Sequence, residues 1–113
     1  LIASSLKGID NSFCFYGAGV TTPRTDTNFA PIVLLEKVSG NLNFICGSAD
    51  DLIPLKDRLE IKKMFKKFDP FEERFRYIEI EGADHGFMCE ERESFDKAAS
   101  FIGWNLLMKE LIN

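Results

Sequence analysis

The stretch that decides the fold is NLNFICGSADDLIP, residues 41–54. Its first six residues make an apolar run of strand length, which a glycine and several small or acidic residues then stop. A short apolar run bounded by turn residues is typical of a strand buried within a sheet. We therefore predict a buried strand at Asn41–Cys46, with Asp50 and Asp51 in the loop that follows it.

Strand-like and helix-like segments alternate on both sides of this strand. Alternation of this kind favours an α/β fold with a mostly parallel sheet flanked by helices. The other predicted elements are, in chain order, a helix end at Leu1–Lys7 closed by Gly8, a strand at Ser12–Tyr16, a loop at Thr21–Pro31, a short helix at Ile32–Val38, a helix at Leu55–Phe68, a strand at Phe75–Ile80 and a final helix from Phe95.

Helical spacing predicts which face of each long helix packs on the sheet. In the first helix the expected core residues are Leu55, Leu59, Met64, Phe65 and Phe68. The basic residues between them are expected to form a solvated face: Lys56, Arg58, Lys62, Lys63, Lys66 and Lys67. In the final helix the expected core residues are Phe95, Ala98, Ala99, Ile102 and Leu106, with Trp104, Met108 and Leu111 beside them.

Composition excludes several classes of partner. The chain has 113 residues, a net charge of -4 and a pI near 5.0, so it has no general attraction to nucleic acid or to anionic membranes. The three cysteines, Cys14, Cys46 and Cys89, are widely spaced and accompanied by one histidine, which does not match a metal site. Free thiols, with neither a membrane span nor an export signal, predict a reducing, cytoplasmic location.

Two polar residues follow predicted strands and could carry chemistry. Asp50 follows the strand that ends at Cys46, and His85 follows the strand that ends at Ile80. Because ligands bind outside the carboxyl ends of parallel strands, both residues are expected at the same edge of the sheet. The 35 positions from Asp50 to His85 fit one helix and one returning strand. An acid and a base can meet there.

The loops around these residues resemble those of a known family. Gly47–Pro54 is similar to the Gly-x-x-Asp-x-x-Val-Pro acid loop of α/β-hydrolases, and Gly82–Phe87 resembles their Gly-Ala-x-His-Gly-Phe loop. Upstream, Phe13–Val20 resembles the Tyr-Tyr-Gly-x-Gly strand end of the dienelactone hydrolase family, and Arg92–Trp104 resembles its closing helix. The resemblance implies the C-terminal part of an α/β-hydrolase of this family.

The resemblance also implies roles for individual residues. Asp50 matches the acid of a Cys/Ser-His-Asp triad and His85 matches its general base, while Asp51 is the rival acid if the loop register is shifted by one. Cys14 is a rival nucleophile, but Ser12 and Tyr16 stand where a Gly-x-Cys-x-Gly elbow requires glycine. We therefore expect Cys14 to be a buried strand residue.

The family order places the nucleophile before the acid. We therefore expect residues 1–113 to be the C-terminal segment of one α/β-hydrolase domain, with the nucleophile upstream of Leu1 and the chain alone inactive. Expected partners are the missing N-terminal half or a second copy, since the first strand lacks its family neighbour. The alternative is a catalytically inactive module that acts in self-association or partner binding.

The implied reaction is cleavage of an ester or lactone, with neither metal nor organic cofactor. Family members that cleave dienelactone hold the substrate carboxylate with a basic residue shortly after the histidine. In this chain the fourth position after His85 is Cys89, and Arg92 comes seven positions after it. The sequence therefore favours a general ester or lactone substrate over dienelactone itself.

Overall fold

The computed structural model describes residues 3–5, 7–26 and 28–112. Its strands are β1 (Asn11–Phe15), β2 (Asn41–Gly47) and β3 (Phe75–Ile80). Its α-helices are α1 (Leu55–Phe68) and α2 (Lys97–Ile112), and two 3-10 helices lie at Ala3–Ser5 and Pro31–Lys37.

The three strands form one parallel sheet in the order β1-β2-β3. β2 is the central strand, and all its residues except Asn41 are buried. Its partners in register include Phe15 of β1 opposite Ile45, and Ile80 of β3 opposite Gly47. All three strands therefore run to the same edge of the sheet, and the predicted α/β class with a parallel sheet is confirmed.

Side chains of β2 alternate between two apolar layers, as the pleat of a strand requires. Leu42, Phe44 and Cys46 belong to the layer that also contains Ile61 and Phe65 of α1. Ile45 belongs to the other layer, with the following residues: Ile80, Ala83, Phe87 and Ala99 of α2. The two helices therefore cover opposite faces of the sheet, and the loops at its carboxyl edge lie between two packed layers.

Most of the predicted elements occur close to their expected bounds. The strands differ from prediction by one residue at most, and α1 has the predicted bounds. The segment predicted as a short helix at Ile32–Val38 is a 3-10 helix, and α2 begins two residues after Phe95. Gly8 has a φ of +87°, which fits the left-handed role predicted for it. Of the helix predicted before Gly8, residues 1, 2 and 6 lie outside the described residues.

The predicted core face of α2 is wrong in most positions. Its buried residues are Ala99, Ser100 and Gly103. Small side chains let this helix approach the sheet closely, so its larger side chains lie to the sides of the contact. Leu106 is half-buried, Ala98 is exposed, and the following predicted core residues are also exposed: Ile102, Trp104, Met108 and Leu111.

The first helix requires two corrections as well. Leu55 and Leu59 are exposed rather than buried, while Ile61 and Phe65 provide the packing. Arg58, predicted on the solvated face, is buried. No helix in the described part of the chain is long and apolar enough to cross a membrane.

Candidate active site

The loop after β2 holds Asp50 in a buried position. The residue is 1% exposed, and one carboxylate oxygen, Oδ1, accepts a hydrogen bond from the backbone N–H of Leu52 at 2.9 Å. The carbonyl of Asp50 accepts from the N–H of Ile53 at 3.2 Å, which closes the turn. Asp residues favour such turns because the side chain can bond to the backbone two residues later. The orientation of the carboxylate is therefore set within its own loop.

The loop after β3 holds His85 through polar contacts on both sides of its backbone. The N–H of His85 donates to Oδ1 of Asp84 at 2.6 Å, and its carbonyl accepts from the hydroxyl of Ser94 at 2.6 Å. Gly86, with a φ of +76°, turns the chain directly after the histidine. These contacts hold the imidazole at the carboxyl edge of the sheet.

Backbone contacts join the two loops. The N–H of Ala49 donates to the carbonyl of Ala83 at 3.0 Å, and the N–H of Gly82 donates to the hydroxyl of Ser48 at 2.7 Å. Gly47 faces Ala83 so closely that a Cβ at this position would lie 2.8 Å from the Cβ of Ala83. Glycine at this position therefore permits the close approach of the acid loop and the histidine loop.

This approach brings Asp50 and His85 together. Oδ2 of Asp50 lies 2.9 Å from Nδ1 of His85, and the two side chains are 0% and 23% exposed. The expected pairing is therefore present. An ionised carboxylate can only accept a hydrogen bond, so Nδ1 carries the proton in this pair. Nε2 of the neutral ring is then the nitrogen that can take a proton from another group.

Tyr16 forms an aromatic wall beside the imidazole. Its ring lies edge-on to His85 with centroids 5.2 Å apart, and edge-on to Phe87 at 5.3 Å. Its φ of +40° is unusual for a bulky residue and signals local backbone strain. Strain of this kind concentrates at functional sites, where surrounding contacts hold it in place.

The rival residues occupy other positions. Asp51 is exposed, and the carboxylate that bonds to His85 is that of its neighbour Asp50. Cys14 lies within β1 and packs partly buried against the layer under α1. Burial raises the pKa of the Cys14 thiol above its ordinary value, which disfavours the reactive thiolate.

The basic residue after the histidine also has a defined position. Arg92 is exposed, and a Cβ at Gly86 would lie 3.0 Å from its Cδ and Nε, so its side chain runs along the histidine loop. Cys89 is partly buried, and its thiol lies 3.5 Å from a carboxylate oxygen of Glu91. Among the described residues, no three His, Cys, Asp or Glu side chains cluster closely enough to hold a metal ion.

Sequence reasoning missed two contributors to this geometry. The sequence patterns indicate neither the contact of Tyr16 with the imidazole nor the hydrogen bond from Ser94. The positive φ of Tyr16 has a weak sequence signal, since the residue directly precedes Gly17-Ala18-Gly19, a run typical of a turn. The bond from Ser94 to His85 joins residues nine positions apart in irregular structure, for which the sequence has no periodic signal.

Comparisons with known proteins identify the family of this chain. The family model described as the dienelactone hydrolase family matches residues 1–113. A protein of Synechocystis sp. assigned as a carboxymethylenebutenolidase is 33% identical over 103 residues, which are 91% of this chain and 41% of that protein. The chain therefore spans about two-fifths of the length of this relative.

Solved structures show the same fold. A protein of Klebsiella pneumoniae assigned as a dienelactone hydrolase matches with a TM-score of 0.78 at 16% identity, over 88% of this chain and 40% of its own. A dienelactone hydrolase-like promiscuous phosphotriesterase from metagenomic libraries matches with a TM-score of 0.61 at 13% identity, over 85% of this chain and 39% of its own. Because the family model matches all 113 residues of this chain, the chain belongs to the dienelactone hydrolase family.

Proposed function

We propose that the protein containing this chain hydrolyses ester or lactone bonds, with Asp50 as the acid and His85 as the base of a Cys/Ser-His-Asp triad. The observation that carries the proposal is the 2.9 Å contact between a buried carboxylate and a partly exposed imidazole. The family and its Synechocystis relative carry the names of hydrolases, which supports the same reaction class.

In the proposed reaction, Nε2 of His85 takes the proton of the nucleophile as it attacks the substrate carbonyl carbon. The tetrahedral intermediate collapses, the C–O bond to the leaving alkoxide breaks, and the imidazolium returns the proton to that oxygen. Asp50 holds the ring in the required tautomer and stabilises the imidazolium. Water then attacks the acyl intermediate, and His85 takes its proton and returns it to the nucleophile. This step releases the carboxylic acid product and the free nucleophile.

We propose that the nucleophile, a Cys or Ser, comes from a preceding part of the family domain. The relative from Synechocystis is more than twice as long as the matched segment, which leaves room for that part. The thiol of Cys14 lies within β1, and burial raises its pKa. Neither feature suits a nucleophile, which needs an exposed turn and easy ionisation.

We propose further that this part of the domain covers the outer face of α2, defined here as Phe101, Trp104, Met108 and Leu111. These four side chains are between 45% and 71% exposed. A contiguous exposed apolar stripe on a helix marks a surface that packs against something. A second copy of the chain is the other candidate for covering the outer face of α2, and sedimentation of the chain with and without the preceding part distinguishes the two.

The three free cysteines support a reducing, cytoplasmic location as part of the same proposal. The substrate class remains esters and lactones in general. In dienelactone-cleaving members the basic residue is expected at the fourth position after the histidine, which is Cys89 in this chain. Arg92 lies three positions after Cys89.

The test uses the full-length protein and p-nitrophenyl acetate. We expect His85→Gln and Asp50→Asn each to lower kcat/KM by about 10³-fold or more, because a triad acts as a unit. Asp51→Asn is the matched control, since it removes a neighbouring exposed carboxylate, and it is expected to change kcat/KM less than about twofold. Full activity in His85→Gln would refute the proposal, and full activity in Asp50→Asn with loss in Asp51→Asn would reassign the acid.

A further inference from the structure

A buried arginine lies behind the acid loop. Arg58 is in the first turn of α1, and its side chain is 10% exposed. One guanidinium nitrogen, NH1, donates to the backbone carbonyl of Ile53 at 3.0 Å. The N–H of Ile53 in turn donates to the carbonyl of Asp50. Two hydrogen bonds therefore connect Arg58 to the backbone of the acid residue.

The same guanidinium contacts the strand that leads to the histidine. Nε of Arg58 lies 3.1 Å from Oε1 of Glu79, which is the next-to-last residue of β3. The Nε–H is not aligned with that oxygen and has no hydrogen-bond acceptor among the described residues. The contact is thus an ion pair without an aligned hydrogen bond.

Two consecutive hydrogen bonds, from Cys46 to Tyr77 and from Tyr77 to Glu79, hold the carboxylate of Glu79 in place. The thiol of Cys46 lies 3.2 Å from the hydroxyl of Tyr77, and that hydroxyl donates to Oε1 of Glu79 at 2.6 Å. Burial raises the pKa of the Tyr77 hydroxyl, as do its contacts with Cys46 and Glu79, so it remains a donor at neutral pH. The Glu79 carboxylate is therefore held from β2 and β3 as well as from α1.

Stability alone is a poor explanation of this arrangement. Arg58 is buried while Glu79 is exposed, so the guanidinium loses solvation that an ion pair with a solvent-accessible carboxylate offsets only in part. The unaligned Nε–H adds a further cost. What the pair provides is a fixed distance between the acid loop, reached through Ile53, and the end of β3, which leads directly into the histidine loop.

We propose that Arg58 and Glu79 are positioning residues that hold the acid loop and the histidine loop in register, and thereby keep Asp50 hydrogen-bonded to His85. The pair touches neither the imidazole nor the Asp50 carboxylate, so its effect passes through the backbone. The catalytic meaning of this role rests on the proposed function, but the geometry it maintains can be measured without catalysis.

The test measures the imidazole tautomer of His85 by ¹⁵N NMR in the full 113-residue chain, where it is the single histidine. The variants are Arg58→Met and Glu79→Gln. We expect the ratio of the Nδ1–H to the Nε2–H tautomer to fall by a factor of about two to five in each, as weakening of one ordinary hydrogen bond predicts. The downfield Nδ1 proton signal is expected to broaden or disappear.

Arg74→Met is the matched control. Arg74 also donates from NH1 to a backbone carbonyl, that of Val38, at 2.6 Å, but it precedes β3 at the opposite edge of the sheet. This variant is expected to lower stability and leave the tautomer ratio unchanged. Arg58→Lys should restore part of the ratio, because an ammonium can reach Ile53 or Glu79 but does not span both as a guanidinium does.

An unchanged ratio in folded Arg58→Met or Glu79→Gln overturns the proposal, as does an equal change in Arg74→Met. If Arg58→Met does not fold, Glu79→Gln decides, because it keeps the size of the side chain and an oxygen that can accept from Tyr77. Failure of both to fold would show a purely structural role and would also overturn it. Absence of esterase activity in the full-length protein, with the tautomer effect intact, would refute the proposed function and leave the positioning role standing.

Discussion

Replacing Gly47 by alanine is expected to separate the acid loop from the histidine loop. A Cβ at this position would lie 2.8 Å from the Cβ of Ala83, and the carbonyl of Ala83 would be in still closer contact. Ordinary van der Waals contact begins at 3.4 Å, so Ala83 has to retreat by roughly 0.6 Å or more. Because the nearest atoms belong to the backbone, no side-chain rotation relieves the contact.

This displacement of Ala83 lowers the free energy of unfolding and lengthens the contact between Asp50 and His85. Overpacking of this kind costs about 1–3 kcal/mol, and stretching the 3.0 Å bond from Ala49 N–H to the Ala83 carbonyl costs about 1 kcal/mol more. His85 lies two residues after Ala83, so the same shift lengthens the 2.9 Å contact with Asp50 beyond hydrogen-bond distance. We therefore expect Gly47→Ala to lose about 2–4 kcal/mol of stability and most of the Nδ1–H tautomer.

Gly40→Ala is the matched control. A Cβ at Gly40 would lie 2.8 Å from the carbonyl carbon of Asp10, again a backbone contact, but before β2 begins and away from the site. Urea denaturation is expected to show similar losses of stability in both variants, while NMR shows the tautomer change in Gly47→Ala alone. Normal pairing of Asp50 and His85 in Gly47→Ala, or equal loss in Gly40→Ala, would refute the argument that this close approach positions the pair.

Three further predictions concern other parts of the chain. Burial opposes ionisation of Asp69, but backbone N–H groups of Phe75, Arg74 and Glu73 hold its pKa below the ordinary value. The ionised Asp69 therefore contributes its full stabilisation of the folded state above the unfolded-state pKa of about 4. This contribution is lost as the pH falls through the lower pKa of the folded state. Asp69→Ala is expected to lose about 2 kcal/mol at pH 7 in urea denaturation and less at pH 3, and an equal loss at both would contradict this. Cys14→Ser is expected to leave esterase kcat in the full-length protein within about twofold, whereas abolition would identify Cys14 as the nucleophile. Trp104→Lys is expected to leave the unfolding midpoint of the chain nearly unchanged, because this side chain is exposed. It is expected to weaken association of the chain with the preceding part of the domain, measured by sedimentation, and unchanged association would exclude the outer face of α2 as the contact surface.

Short-range patterns were sufficient to predict the sheet. β2 is a buried apolar run closed by Gly47, and β3 shows a two-residue period, so both strands have local signals. The burial of β2 on both faces follows from its central place in a parallel sheet that helices cover on both sides. The Asp50 and His85 loops could be predicted because their residue patterns are specific and because parallel strands end at one edge.

Burial on the helices could not be predicted in the same way. Apolar spacing on α2 is compatible with several faces, and the face that packs is the one with small residues, Ala99, Ser100 and Gly103. Arg58 has the composition of a surface residue, and its burial depends on Glu79, 21 positions later in the chain. Which helix residues are buried depends on their partners elsewhere in the fold, and the spacing of apolar residues does not identify those partners.

The hydrogen bonds that orient Asp50 and His85 come from the loops after β2 and β3 and from the turn that precedes α1, and the ring of Tyr16 after β1 contacts the imidazole. Backbone bonds of Ala49 and Gly82, the turn closed at Ile53 and the bond from Ser94 involve residues described in this chain. Asp50 and His85 can therefore be paired before any nucleophile approaches them. On the proposed function, the nucleophile approaches Nε2 of a ring whose orientation is already set by these contacts.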